Sequence, residues 1–300
     1  MPRTHERNDF YKLATRAVAK IMIEHRTIRW RTPLQFNDPF DTQTRLTANI
    51  DPDVYADRFI ERLGQLAFAS EVPDFYDPTS ELHRGAMLMR RTTPADRQAD
   101  ALAFLRVGAL ESANRFTDLL GEMSDDLVGH MQHGRAFCLT EKMNNVVMWS
   151  HYAEEHKGVG FKFRVLDEID HPFLIAKAVT YSDDYVCIGD SIEMADNYSR
   201  AVPIDLAALA WQLVYLKHSD WSYEKEWRCY WPLLNEPAGV GYVDPVQDPR
   251  LFEAIYLGCN MGELDTTEII ELTRRHLPDT EIYQARKSRT SFDLEFYRIV

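Results

Sequence analysis

The chain has 300 residues, of which 45% are hydrophobic and 12% aromatic, and its formal net charge is −13. This composition is ample for the buried core of one large domain or two small ones. The acidic charge argues against binding to a nucleic-acid backbone, because phosphate contacts need clustered Lys and Arg. No apolar run approaches the roughly 20 residues that span a bilayer, and no apolar signal core follows the N-terminus, so we expect a cytoplasmic protein without membrane partners.

Metal-binding patterns are weak. The four cysteines are scattered and form no Cys-x-x-Cys pair, which argues against a disulfide framework and a zinc ribbon. His130, His133 and Cys138 are close in sequence, and His151 and His156 share a region of helical pattern. Since there is no His-Glu-x-x-His motif and no third ligand at a typical interval, we interpret these as surface histidines and expect no metal.

The predicted elements begin with a strand at residues 10–13 and a helix that Thr15 caps and that continues to about residue 24. Residues 26–31 predict a second strand. Its period of two puts Arg29 and Arg31 on one face and Ile28 and Trp30 on the other. Two guanidinium groups at this spacing suit a small anionic ligand such as a pyrophosphate, although a solvated strand face is the more common explanation.

A turn-rich segment, Phe-Asn-Asp-Pro-Phe-Asp, occupies residues 36–41. Asn37 and Asp38 can bond neighbouring backbone amides and Pro39 fixes the chain, which predicts a rigid loop able to border a pocket. From about residue 51 to 133, apolar residues recur at helical spacing. This pattern predicts a helical insertion within a single domain of residues 1–300.

The remaining strand and helix signals follow no regular alternation. We predict strands at residues 135–140, 158–163, 179–181, 254–257, 281–284 and 292–298, and helices at about 144–155, 190–217 and 266–276. No internal repeat is present. The order predicts an α+β fold with a core of mainly antiparallel strands.

The most informative segment is residues 221–231, Trp-Ser-Tyr-Glu-Lys-Glu-Trp-Arg-Cys-Tyr-Trp. In an extended strand, Glu224, Glu226 and Arg228 would share one face. Two carboxylates and a guanidinium beside aromatic rings can stabilise a developing cation, which is the setting of glycosyl-transfer chemistry. Taken alone, the segment is more typical of an edge strand whose charges pair in solvent.

Several phrases occur in one order along the chain. They are Tyr11-Lys12, Phe36-Asn37-Asp38-Pro39-Phe40, Phe137-Cys138-Leu139-Thr140, Met148-Trp149-Ser150-His151-Tyr152-Ala153, Lys157-Gly158, Tyr223-Glu224-Lys225-Glu226-Trp227-Arg228 and Ile255-Tyr256-Leu257-Gly258. Together they resemble the bacterial family known as domain of unknown function 2971, over nearly the whole chain outside the helical insertion. That family implies no established chemistry.

A second resemblance is to the ADP-ribosyltransferases. These enzymes carry a basic or polar residue on a first strand, a Ser, Thr or Tyr element on a middle strand and helix, and Glu-x-Glu at a later strand. The chain is similar in having Lys12, Thr140, Tyr152, Glu224 and Glu226 in that order. The resemblance implies a split antiparallel sheet. Lys12 stands where the family usually has Arg or His, which keeps the charge but not the planar fork.

The resemblance also implies a mechanism. NAD would bind across the split sheet as co-substrate, with Glu226 facing the oxocarbenium-like ribose as the catalytic residue and Glu224 orienting or deprotonating the acceptor. The remaining expected cofactor contacts are Lys12 to a phosphate or ribose, Tyr152 or Trp149 to the nicotinamide ring, Arg228 to Glu226 or a phosphate, and Thr140, Asn37 and Asp38 at the pocket.

These interpretations compete with simpler ones. Large aromatic side chains such as Trp149, Tyr152 and Tyr223 are more often present for their buried area than as ring clamps. A ligand-sensing or protein-interaction module could use the same cleft without turnover. The enzyme hypothesis is transfer of ADP-ribose to an unknown macromolecular acceptor, in the manner of a toxin or phage-defence effector. It requires Lys12, Thr140, Tyr152 and Glu226 to line one concave pocket.

Overall fold

The computed structural model describes residues 2–200, 202, 204–232, 240, 242–243 and 246–299. The chain divides into two compact units. We call residues 1–43, 130–183 and 214–300 the sheet unit, and residues 44–129 and 184–213 the helical unit. The prediction of a single domain with an insertion at residues 51–133 stays a prediction.

The strands and helices are numbered in chain order. The strands are β1 Asp9–Ala14, β2 Arg29–Trp30, β3 Thr47–Asn49, β4 Gly134–Thr140, β5 Val159–Arg164, β6 Lys177–Ala178, β7 Thr180–Ser182, β8 Cys187–Asp190, β9 Leu216–His218, β10 Glu226–Pro232, β11 Tyr242–Val243, β12 Phe252–Leu257, β13 Glu281–Lys287 and β14 Leu294–Arg298. The helices are α1 Arg16–His25, α2 Pro52–Phe68, α3 Glu81–Thr92, α4 Gln98–Asn114, α5 Phe116–Met131, α6 Val146–Tyr152, α7 Ser191–Ser199, α8 Leu206–Val214 and α9 Glu263–His276.

An eight-stranded sheet forms the centre of the sheet unit, in the order β14-β13-β12-β5-β1-β4-β10-β6. Strands β12 and β13 pair in parallel, whereas the other neighbours pair antiparallel. Short pairs of β2 with β11 and of β7 with β9 lie outside it. The predicted α+β class with a mainly antiparallel core is therefore confirmed.

The sheet splits between β1 and β4. The two strands share one paired position, Tyr11 with Thr140. Nearer its start, β4 instead forms an isolated bridge between Ala136 and Arg31, with backbone hydrogen bonds of 2.8 and 2.9 Å. Their backbones therefore separate beyond Tyr11, and the gap is open to side chains from both strands.

The core of the sheet unit lies against α1 and α9. Phe10, Phe161 and Phe163 are fully buried on the sheet, and Ile23 of α1 and Ile269 of α9 pack with them. Each such side chain contributes about 1.5–3 kcal/mol when it leaves water. This packing fixes the strands on which the polar residues of the cavity stand.

The start of the chain follows its sequence signals closely. Thr15 caps α1 by accepting a hydrogen bond from the amide of Val18, as predicted. The predicted strand at residues 26–31 is shorter, because Arg26 ends α1 with a left-handed φ of 53°. The predicted alternation is confirmed: Ile28 and Trp30 are buried, whereas Arg29 and Arg31 are exposed.

The helical unit is organised around α2. Asp51 caps this helix, and its buried face includes Phe59, Leu63 and Leu66, three of the residues that predicted a helix here. Helices α3, α4 and α7 pack against α2. No helix among the described residues is long and apolar enough to cross a membrane.

Candidate functional site

A cavity of about 580 Å³ lies at the split in the sheet unit, a size typical of small-molecule sites. Six of the nine residues predicted for the transferase site contribute to its wall. They are Lys12, Asn37, Thr140, Tyr152, Glu224 and Glu226. The four positions that the transferase hypothesis requires in one pocket therefore do meet.

Glu226 is a buried carboxylate held by two cations. Its Oε1 accepts a hydrogen bond from Nε of Arg228 at 2.9 Å, and its Oε2 accepts one from Nζ of Lys217 at 3.1 Å. Burial by itself raises the pKa of Glu226, but the charges of Arg228 and Lys217 outweigh it and lower the pKa to about 2. Glu226 is therefore ionised at neutral pH and fixed in orientation.

Glu224 lies beside it in a different environment. Its Oε1 accepts a hydrogen bond from the hydroxyl of Tyr152 at 2.5 Å, and its Oε2 accepts one from Nζ of Lys217 at 2.6 Å. Burial raises the pKa of Glu224, with Lys217 acting against the shift. Two neighbouring carboxylates thus have pKa values displaced in opposite directions, which is the arrangement that separates acid and base roles in active sites.

Asp41 completes a set of five charged side chains that we call the acidic network: Asp41, Lys217, Glu224, Glu226 and Arg228. Arg228 is fully buried and donates two parallel hydrogen bonds to Asp41, both of 2.9 Å, and another to the carbonyl of Val214 at 2.6 Å. With three carboxylates and two cations the network has a formal charge of −1. Its members are at most 6% exposed, so the charges act in a medium of low dielectric constant.

The backbone that presents the two glutamates is not the continuous strand predicted over residues 221–231. Residues Ser219–Glu224 form a 3₁₀ helix, Lys225 takes a left-handed φ of 46°, and β10 begins only at Glu226. The shared face is therefore correct for Glu226 and Arg228 but wrong for Glu224. The hydroxyl of Thr140 donates a hydrogen bond of 2.6 Å to the carbonyl of Glu224, so Thr140 positions this turn.

Positively charged side chains line another part of the cavity. Lys12 crosses the split, where its Nζ donates a hydrogen bond of 2.8 Å to the carbonyl of Cys138 and lies 4.6 Å from the ring centroid of Phe137. Burial lowers the pKa of Lys12, and the nearby charge of Arg31 lowers it further. Arg29 and Arg31 also line the cavity. We call Lys12, Arg29 and Arg31 the cationic wall; among the described residues no carboxylate forms an ion pair with any of them.

The other predicted site residues have structural contacts. Trp149 is fully buried, donates from Nε1 to the carbonyl of Met143 at 2.6 Å and does not line the cavity. Asp38 is 4% exposed and accepts a hydrogen bond from the amide of Phe40, as the turn prediction requires. The contacts of Arg228 favour its predicted role of orienting Glu226 over contact with a phosphate. Asn37 lines the cavity and donates to the hydroxyl of Tyr152 at 3.3 Å.

Sequence reasoning missed Lys217 and Asp41, which both line the cavity. One signal was available: two buried glutamates need more positive charge than Arg228 alone supplies. Nothing in the sequence, however, indicates which lysine provides it. The sequence also does not indicate that Arg29 and Arg31 lie near Lys12, because their proximity depends on the split in the sheet. Among the described residues no cluster of His, Cys, Asp and Glu is arranged to bind a metal ion.

Comparison with known proteins gives one family. No curated protein and no solved structure matches the chain, so no comparison leads to an ADP-ribosyltransferase. The segment that matches a family model, residues 148–229, includes most of α6 with Tyr152, both glutamates of the acidic network, Lys217 and Arg228. Over residues 148–229 the chain is similar to the family described as protein of unknown function (DUF2971).

Proposed function

We propose that the cavity binds NAD and that the protein transfers ADP-ribose from it to an acceptor. The observation that carries this proposal is the presence of opposite charges in one cavity: an acidic network of formal charge −1 and a cationic wall of three positive groups. NAD has a cationic nicotinamide ring at one end and two negative charges on its pyrophosphate. The nicotinamide ribose would lie at Glu226 and the pyrophosphate at the cationic wall.

Glu226 has the properties that stabilisation of a ribosyl cation requires. Departure of nicotinamide leaves positive charge on the ribose ring, and an ionised carboxylate fixed nearby lowers the barrier without reorganisation. A pKa of about 2 keeps Glu226 ionised, so it does not act as a proton donor. Arg228 orients Glu226 through a hydrogen bond to Oε1 and does not itself line the cavity.

Glu224 and Tyr152 are suited to the acceptor side. Both line the cavity, and the raised pKa of Glu224 makes it the better proton acceptor of the two glutamates. Because Oε1 of Glu224 already accepts a bond from Tyr152, an acceptor hydroxyl or amine would share or replace that bond. Tyr152 lines the cavity, and an aromatic ring there could pack on nicotinamide.

The test is nicotinamide release from labelled NAD, with and without cell lysate as a source of acceptor. Glu226→Gln keeps the shape of the side chain and removes its charge, so we expect release to fall about 10²–10³-fold. Glu253→Gln is the matched control, since Glu253 is also a strand carboxylate bonded to a lysine, Lys162, and does not line the cavity. Melting temperatures of both variants separate lost chemistry from lost folding. No release by the wild type, with or without lysate, would refute the transferase proposal.

A ligand-binding module without turnover is the second candidate. The observation in its favour is that every carboxylate of the acidic network already has a cationic partner. Such buried networks also occur as structural elements. Binding of NAD by calorimetry, unaccompanied by nicotinamide release, would favour this function over transfer.

A further inference from the structure

We infer that Arg29 and Arg31 recognise an additional phosphate group, so that the preferred dinucleotide is NADP and not NAD. This inference rests on the proposed function for the class of ligand. The first observation is a charge count. Arg29 and Arg31 carry two formal positive charges and pair with no carboxylate among the described residues, which matches the two negative charges of a phosphate monoester dianion.

The second observation is the geometry of the two arginines. Their alternation along β2 and the adjoining bridge directs both side chains to the same side, while Ile28 and Trp30 anchor the strand in the core. The paired hydrogen bonds between Arg31 and Ala136 fix the backbone at this point. Two guanidinium groups on a fixed strand can each bind a phosphate monoester through two parallel bonds, which a single lysine cannot do.

The third observation is that Lys12 is less exposed than Arg29 and Arg31. Its ammonium group lies in the split, against the carbonyl of Cys138 and the ring of Phe137, whereas Arg29 and Arg31 are exposed at the cavity wall. The inner cation suits the pyrophosphate near the reacting ribose. The outer pair suits a group farther along the ligand, and a 2′-phosphate on the adenosine ribose is a dianionic group that arginine commonly accommodates.

The test measures binding separately from turnover. Calorimetry compares ADP-ribose with 2′-phospho-ADP-ribose, neither of which can release nicotinamide. We expect the wild type to bind the 2′-phosphorylated ligand about tenfold more tightly or better, as charge-assisted bonds to two arginines allow. Arg29→Gln/Arg31→Gln should abolish the difference. Arg274→Gln/Arg275→Gln, which removes two exposed charges from α9 outside the cavity, should preserve it.

Each result has one consequence. Equal affinity for the two ligands in the wild type, or a preference that survives in Arg29→Gln/Arg31→Gln, overturns the inference. Preferred binding of the 2′-phosphorylated ligand without nicotinamide release from NADP supports the inference and refutes the transferase proposal. Equal release of nicotinamide from NAD and NADP, together with equal affinity for the two calorimetry ligands, supports the transferase proposal and overturns the inference. Failure to bind either ligand overturns the inference, and nicotinamide release then decides the transferase proposal separately.

Discussion

The two charged parts of the cavity differ in how their charge is compensated. In the acidic network, Asp41, Glu224 and Glu226 are buried and bonded to Lys217 or Arg228 within the protein. In the cationic wall, Arg29 and Arg31 are exposed and pair with no carboxylate among the described residues. One part is already organised by the fold, whereas the other has capacity for an anion from outside.

This difference separates two consequences of mutation. Removing one charge from a buried and bonded set leaves its partner without compensation in a low dielectric, which costs stability. Removing an exposed and unpaired charge changes little in the folded state and acts on ligand binding. The acidic network should therefore control folding as well as chemistry, and Arg29 and Arg31 of the cationic wall should control affinity alone.

The largest expected effect is on stability. Arg228→Met retains much of the side-chain volume and leaves Asp41 and Glu226 with Lys217 as the remaining cation, so we expect the free energy of unfolding to fall by about 3–5 kcal/mol. Arg31→Met is the matched control in the cationic wall, and we expect it to change by less than about 0.5 kcal/mol. Urea unfolding of both variants measures the contrast. Similar losses in the two would contradict the distinction between the parts.

The second largest effect is on the stability of the fold at acidic pH. The pKa of Glu226 is about 2 in the folded protein, against an ordinary value of 4.5. A carboxyl group with a depressed pKa stabilises the fold above the unfolded pKa, and this contribution is lost as the pH falls from 4.5 towards 2. Burial raises the pKa values of Asp41 and Glu224 from their ordinary values of 3.8 and 4.5, so their protonation stabilises the fold as the pH falls, mostly above the window in which Glu226 acts.

Glu226→Gln lacks this titration. Its unfolding free energy should therefore fall less steeply than that of the wild type over the same pH window, with a difference of up to roughly 3 kcal/mol. Urea unfolding at several pH values between about 5 and about 2.5 measures both slopes. Parallel slopes would show that Glu226 has no depressed pKa and would remove the basis for treating it as permanently ionised.

Sequence patterns were sufficient for the elements that local chemistry determines. Three predicted features depend on residues a few positions apart, and each is present in the structure. They are the helix cap by the hydroxyl of Thr15, the alternation through Arg29 and Arg31, and the hydrogen bond from a backbone amide to Asp38. The prediction failed between Glu224 and Glu226, where a 3₁₀ helix and the left-handed Lys225 interrupt the expected strand. That bend brings both glutamates to Lys217, seven and nine residues earlier in the chain, a contact that a period-two pattern does not contain.

The site itself was predictable only as a set of candidates. The order of Lys12, Thr140, Tyr152 and Glu226 suggested that they meet, and strand pairing places three of them on adjacent strands of one sheet. The position of Trp149 does not follow from the sequence, because an aromatic residue in a helix can face either the core or a cleft with the same local pattern. The position of Asp41 does not follow either, since its partner Arg228 is distant in sequence.

The smallest effect separates burial from hydrogen-bond geometry. Tyr152 and Tyr297 each donate a hydrogen bond of 2.5 Å to a carboxylate, but Glu224 is 3% exposed whereas Tyr297 and Glu295 lie at the surface. Tyr152→Phe removes a donor from a buried carboxylate, which water cannot readily replace, so we expect a loss of about 1–2 kcal/mol. Tyr297→Phe removes the same bond where water can replace it, and we expect less than about 0.5 kcal/mol.

Denaturant unfolding of both phenylalanine variants measures this pair under one condition. If the two variants lose equal stability, the contribution of each tyrosine hydroxyl to the free energy of unfolding depends on the length of its hydrogen bond and not on burial. If Tyr152→Phe alone is destabilised, the neutral hydroxyl belongs to the preorganised part of the site together with Lys217 and Arg228. Its absence should then also raise the pKa of Glu224, because a carboxylate that loses a donor holds its proton to a higher pH.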